Sequence, residues 1–233
     1  MSGLLLPSTP LDGIDPNNCY FNPGCALAMT QPAAAGGLLA LLRRWYGPVR
    51  PHDVCCHHDP LLPAGSVLLN NCAGCDRRFR SLYPGITTIT LWEVLDSIAH
   101  LPLPNHAGLT VSVQDPCSFR PKPQVHAAVR SLLRKMNVEI VEAPASGIHS
   151  ICCGDNFYPT LAAERVMDLQ RKRAAQMPCQ DVVVYCVSCT QSMAIGGKTP
   201  HHLADLVLGS ATTPLAQGLE EYHAALGRYI EEH

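Results

Sequence analysis

The chain has 233 residues, of which 47% are hydrophobic and only 15% charged, against about 25% charged in an ordinary domain; a core can form without disulfide staples. Seventeen Lys and Arg against nineteen Asp and Glu leave a formal charge of -2, so no basic field exists to hold nucleic acid or an anionic membrane. Residues Met1 to Asn18 carry no Lys or Arg and only a three-leucine run, and no apolar stretch approaches the roughly 20 residues of a membrane helix. The expectation is a cytoplasmic protein without direct membrane insertion, where thiols stay reduced and twelve cysteines need a use other than disulfides.

In chain order, an apolar helix is predicted from Pro32 to Tyr46; Gly36 and Gly37 each cost it about 1 kcal/mol relative to Ala, so packing must hold it. The apolar run SVLLNN (66–71) leads into Cys72-Ala73-Gly74-Cys75. Thr90 with Glu93 forms a capping box ahead of Leu91, Val94, Leu95 and Ile98 on one helix face. The segment LPLPNHAG (101–108) reads as a linker, dividing a first, abbreviated unit (1–105) from a second (106–233). Beyond it come a strand over Leu109–Val113, a helix striped by Val125, Ala128, Val129, Leu132, Leu133 and Met136, and a strand over Val138–Val141, a pattern that implies a parallel pair. A helix from about Thr160 to Met177 and a buried strand over Val182–Tyr185 precede Cys186-x-x-Cys189. Thr199 with Pro200 is read as starting a helix that carries Leu203, Leu206 and Val207 and stops at Gly209. Leu215, Leu219, Tyr222, Leu226 and Ile230 stripe a last helix whose default role is core packing.

The cysteines repeat. A single cysteine, an adjacent pair and a Cys-x-x-Cys occur as Cys25, Cys55 with Cys56, Cys72 with Cys75, and again as Cys117, Cys152 with Cys153, Cys186 with Cys189. Fifteen residues separate Cys56 from Cys72 but 32 separate Cys153 from Cys186, so the first copy lacks about one helix. The fold expected is α/β: two pseudo-repeated small parallel-sheet halves with helices, the cysteine loops at the carboxyl ends of the strands. Thiolates select zinc, copper(I) or iron-sulfur chemistry over magnesium and calcium. Neighbouring cysteines strain to reach one tetrahedral ion, whereas a multi-iron cluster offers separate metal atoms, so one five-cysteine site per repeat is expected. Zinc held by four thiols, plain burial and a metal-free dithiol at Cys186 and Cys189 are the alternatives. Cys19 and Cys179 have no counterpart in the other copy and read as buried cysteines.

Asp115-Pro116-Cys117-x34-Cys152-Cys153-Gly154-x31-Cys186-x2-Cys189 resembles the cysteine-rich CCG domain of the heterodisulfide reductase-like iron-sulfur proteins, with Asn22-Pro23-Gly24-Cys25 similar to that family's opening motif. The resemblance implies a noncubane 4Fe-4S cluster on Cys117, Cys152, Cys153, Cys186 and Cys189. It implies a second 4Fe-4S cluster, or zinc, on Cys25, Cys55, Cys56, Cys72 and Cys75. By the same resemblance the protein is an iron-sulfur oxidoreductase component of a larger complex, taking electrons from a flavoprotein or ferredoxin-like partner and passing them to a disulfide, quinone or protein. Zinc in a non-redox interaction module is the rival. The first pair departs from the pattern, being followed by His57 rather than glycine, and His57 or His58 is a candidate replacement ligand. Arg77, Arg78 and Arg80 are read as a solvated face, or else as countercharge or an anion receptor; Arg171, Lys172 and Arg173 are read only as solvated. His201 and His202, in the first turn of their helix, are expected to be neutral. No GxGxxG, Walker loop, GxSxG or HExxH occurs.

Overall fold

The computed structural model describes residues 10–11, 13–214 and 218–233; the apolar run near the N-terminus and Leu215 lie outside them. In the first half, β1 (Cys19–Asn22) leads through α1 (Cys25–Thr30) and α2 (Pro32–Tyr46) to β2 (Arg50–Pro51). An irregular stretch then reaches β3 (Val67–Asn70), α3 (Ala73–Leu82), β4 (Thr87–Thr90) and α4 (Leu91–Ser97). The second half repeats this plan with β5 (Thr110–Gln114), α5 (Pro123–Lys135), β6 (Glu139–Ile140), α6 (Ala163–Ala174), β7 (Asp181–Val184), α7 (Val187–Ile195), β8 (Thr199–His202) and α8 (Leu203–Leu208). A final helix, α9, runs over Leu219–Glu232.

Each half holds a four-stranded, wholly parallel sheet, ordered β2-β1-β3-β4 and β6-β5-β7-β8. The protein is therefore an α/β fold of two similar halves. Among the described residues, α6 has no helical counterpart between Cys56 and β3, which matches the shorter spacing there. The central strands are apolar on both faces, as in Val182, Val183 and Val184, all fully buried, because helices cover both sides of a parallel sheet.

The halves exchange helices. α4 packs on α5 and α8 packs on α2, so each half's last helix lies against the other half's first long one. One continuous apolar cluster consequently includes Leu38, Leu42, Trp92 and Leu95 together with Val113, Val129, Leu133 and Leu203. Gly37 belongs to this arrangement: a Cβ there would sit 3.0 Å from Leu208 Cδ1, so the glycine that weakens α2 permits the close crossing of α8. The Thr90–Glu93 capping box forms as expected.

One element differs from its sequence reading. Thr199 to His202 form strand β8 rather than a helix start, and α8 begins at Leu203. Pro200 is tolerated because β8 pairs only with β7 at the sheet edge, where a missing backbone donor costs no ladder bond. His202 instead caps α8, its Nδ1 accepting from the Ala204 N–H at 3.3 Å. Full burial lowers its pKa from 6.5 to about 4, so it is neutral, as expected, though desolvation is the cause rather than the helix dipole. Below pH 6.5 the unfolded chain takes up a proton that the native imidazole refuses until about pH 4. Its contribution to stability is thus complete above 6.5 and is lost, by something on the order of 3 kcal/mol, as pH falls to 4. Chemical denaturation of His202→Asn, which keeps a capping side chain, is expected to show a correspondingly flatter pH dependence between those values.

Candidate metal centres

Parallel pairing places every strand's carboxyl end at one edge of its sheet. Cys25 follows β1, Cys55 and Cys56 follow β2, and Cys72 follows β3; Cys117, Cys152 with Cys153, and Cys186 stand in the same order after β5, β6 and β7. Cys72 and Cys186 are the residues from which α3 and α7 spring, and at α3 the Gly74 and Cys75 N–H groups of the first turn act on the Cys72 sulfur, as a helix N-terminus favours negative charge.

Within each half the five thiols are joined in the same sequence. Side-chain hydrogen bonding links Cys25 to Cys55, Cys55 to Cys56, Cys56 to Cys75 and Cys75 to Cys72. In the second half Cys117 links to Cys152, Cys152 to Cys153, Cys153 to Cys189 and Cys189 to Cys186. The first member of each adjacent pair is pushed down. Hydrogen bonds from Cys25 and Cys56 hold Cys55 far below an ordinary thiol. Cys117 and Cys153, helped by the backbone N–H groups of Gly154 and Asn156, do the same for Cys152. Cys72 is lowered to about 7 by the Cys75 thiol and the N–H groups of Cys75 and Gly74 against the opposing effect of burial. Cys25 and Cys117 are raised, first by their hydrogen bonds to Cys55 and Cys152, then by burial and the nearby negative charge. Among the described residues no three His, Cys, Asp or Glu side chains form a site for a single metal ion.

The remaining sequence candidates separate. Cys19 is 2% exposed within the core, and burial pushes its thiol up to about 11. Cys179 lies at the far side of the second sheet, where its N–H donates to Ser112 Oγ. His58 places Nε2 2.6 Å from the Ile230 carbonyl of α9, which draws it away from the thiols; His57 borders the first site but is exposed. Gly154 has φ +109°, and a Cβ there would meet the Gln170 nitrogen of α6 at 3.0 Å. The positive-φ residues other than glycine among the described ones are Leu61 and Asn137. The backbone therefore makes no such turn at His57, and with no counterpart of α6 to approach, a side chain fits.

Sequence reasoning missed the support beneath the second site. Arg173, read as solvated, is 2% exposed. It donates to three neutral oxygens, Gln114 Oε1 at 2.7 Å, Gln176 Oε1 at 2.8 Å and the Ala145 carbonyl at 2.9 Å. Burial works against its charge, and Asp115 and the nearby Cys189, Cys153 and Cys152 work the other way. A buried guanidinium needs a countercharge, and the ionised Asp115 is the first of the groups that act on it. Its spacing from Val166 and Gln170, four and then three residues, was the available signal. Asp115 accepts from Tyr185 Oη at 2.5 Å, from Arg130 Nη1 and Nη2 at 2.6 and 2.9 Å, and from the Gly147 N–H at 2.6 Å. Burial works to raise this carboxyl, but hydrogen bonds from His126, Arg130 and Tyr185 hold it well below the carboxylate range. The residues before Cys117 and Cys186 are thereby fixed to one another.

The two sites adjoin. α3 packs on the turn at Cys117–Phe119 and α1 packs on α7, so each Cys-x-x-Cys helix meets the other half's first cysteine segment. A buried ion pair of 2.8 Å joins Lys122 of the second half to Asp76, next to Cys75. α9 spans both: Tyr222 Oη lies 3.2 Å from Ser188 Oγ, and the Cys55 N–H donates to the His233 carbonyl at 2.9 Å.

Two parallel-sheet halves carrying matched five-thiol sets at adjoining edges define a cysteine-rich α/β protein with soft-ligand sites. Residues 111–194 match the family model described as the cysteine-rich CCG domain. A protein of Chromohalobacter salexigens described as a probable membrane-anchored ferredoxin is 29% identical over 112 residues, or 46% of this chain. The match spans 17% of that relative's length. Among the described residues no helix is long and apolar enough to cross a membrane.

Lys122→Met leaves Asp76 buried without its lysine, and the unfolding free energy measured by denaturant titration is expected to fall by roughly 3 kcal/mol, most of it regained in Lys122→Met with Asp76→Asn.

Proposed function

We propose that the chain is an iron-sulfur electron-transfer protein with one cluster per half, of the noncubane 4Fe-4S type in the second. Cys117, Cys152, Cys153, Cys186 and Cys189 hold that cluster, and Cys25, Cys55, Cys56, Cys72 and Cys75 hold its counterpart. The observation that carries this reading is the identical order of thiol contacts in the two halves, five sulfurs where a tetrahedral zinc ion takes four. Arg173, buried with only neutral oxygens as hydrogen-bond partners, sets a positive charge beside those thiols. The CCG match and the ferredoxin description of the relative point the same way.

When bound, such a cluster supplies reversible one-electron storage at a potential set by its charge, burial and hydrogen bonds. The chain's own contribution is positional. Gly154 and Asn156 direct N–H groups at Cys152, Asp115 ties the Cys117 and Cys186 segments together through Tyr185, and Arg173 balances charge from behind. The first half takes a cluster rather than zinc, because His58 is committed to α9 and all five thiols are retained. Electrons arrive from a flavoprotein or ferredoxin-like partner and leave to a disulfide, quinone or second protein, which makes the chain the oxidoreductase component of a larger assembly.

Anaerobic purification followed by iron, zinc and acid-labile sulfide analysis is expected to return iron and sulfide for both halves. Cys153→Ser or Cys186→Ser should lose about half of each, and Cys179→Ser none. Zinc alone in both halves, or full iron in the first two variants, contradicts the assignment.

A further inference from the structure

The residue that follows each Cys-x-x-Cys differs between the halves. Thr190 follows Cys189, whereas Asp76 follows Cys75 and is fully buried near the start of α3. Its Oδ1 accepts from Lys122 Nζ at 2.8 Å, and its Oδ2 is buried without a hydrogen-bond partner among the described residues. Arg80 Nη2, on a side chain 42% exposed, stands 3.7 Å from that second oxygen. Replacing a buried ion pair by apolar side chains is often neutral or stabilising, so stability alone does not account for the pair.

Its placement gives it a use. Asp76 adjoins Cys75, its N–H donates to the Cys72 carbonyl at 3.0 Å, and its charge acts on the Cys72 sulfur. Lys122 comes from the other half, five residues beyond Cys117. Its N–H donates to the Phe119 carbonyl at 2.9 Å, which closes the turn that packs on α3. In a buried site, adding an electron to a thiolate-held centre is opposed by a neighbouring carboxylate and favoured by a neighbouring ammonium.

We infer that Lys122 is a positioning residue for electron transfer: by neutralising the carboxylate buried beside Cys72 and Cys75, it sets the reduction potential of the first-half centre. The docking of the second half thereby controls the redox poise of the first. The step concerned is the transfer of one electron from a reduced partner to that centre, with no bond made or broken. The inference rests on the redox reading above.

The test is an anaerobic redox titration followed by electron paramagnetic resonance in a Cys186→Ser background, where the first-half centre alone is expected, with iron and sulfide measured on every sample. Asp76→Asn keeps the side-chain shape and leaves the lysine without its countercharge. It is expected to favour reduction by on the order of tenfold, a rise of about 59 mV for one electron. Lys122→Met should disfavour reduction by a similar factor, Lys122→Arg should shift it least, and Asp76→Asn combined with Lys122→Met should return close to the starting potential. Opposite signs separate charge from lost packing, because a structural disturbance moves both single variants the same way and is not undone in the double. Where Lys122→Met fails to fold, Asp76→Asn and the double variant carry the comparison. An unchanged potential in Asp76→Asn with iron retained, or shifts of one sign in both single variants, overturns the inference and leaves the pair a structural tie between the halves. Absence of iron and sulfide from the unsubstituted protein overturns the redox reading instead.

Discussion

Parallel strand pairing is the constraint on which both thiol sites depend. In a sheet whose strands all run one way, three successive strands deliver their carboxyl ends to one edge, and the loops leaving them meet there whatever their length. A single cysteine, an adjacent pair and a Cys-x-x-Cys, each placed after one of those strands, then become neighbours although up to 72 positions separate the outermost two. The Cys-x-x-Cys needs the helix as well as the strand: Cys72 and Cys186 occupy the strand-to-helix joints, and the second cysteine lies three residues on, along the same face.

A second constraint brings the two sites together. Each half is too small to bury its own sheet and completes its core with a helix of the other, α4 on α5 and α8 on α2. This reciprocal packing also sets α3 beside Cys117 and α7 beside Cys25's helix. Trp92 of the first half meets Tyr185 edge-on, Tyr185 stacks on Phe119, and its hydroxyl reaches Asp115. The core that joins the halves therefore also positions the residues flanking Cys117 and Cys186.

Much of this was legible in the sequence, for identifiable reasons. The cysteine repeat carried the two-half plan, periodicity located α2, α5 and the strands on either side of α5, and the shortened spacing after Cys56 marked the missing helix. Pro200 misled because proline signals a helix start and an edge strand equally, and only sheet order distinguishes them. Arg173 was hidden in a run of basic residues where two of the three do face solvent. The Lys122–Asp76 pair and the bridging role of α9 depend on contacts between halves, for which local pattern holds no signal. His57 looked like a defect against Gly154, yet the glycine is required by α6, and where no such helix occurs the requirement lapses.

The asymmetry makes the halves unequal: the second has α6 with its buried Arg173, and among the described residues the first has no such helix, while the space over its thiols is about 360 Å³ against about 180 Å³. Common to both is the claim that five sulfurs surround an inorganic core of several metal atoms. Iron K-edge X-ray absorption on the anaerobic protein addresses this directly. A sulfur shell accompanied by iron–iron scattering is the expected result, and a lone shell of light or sulfur ligands with no metal–metal contribution would contradict it.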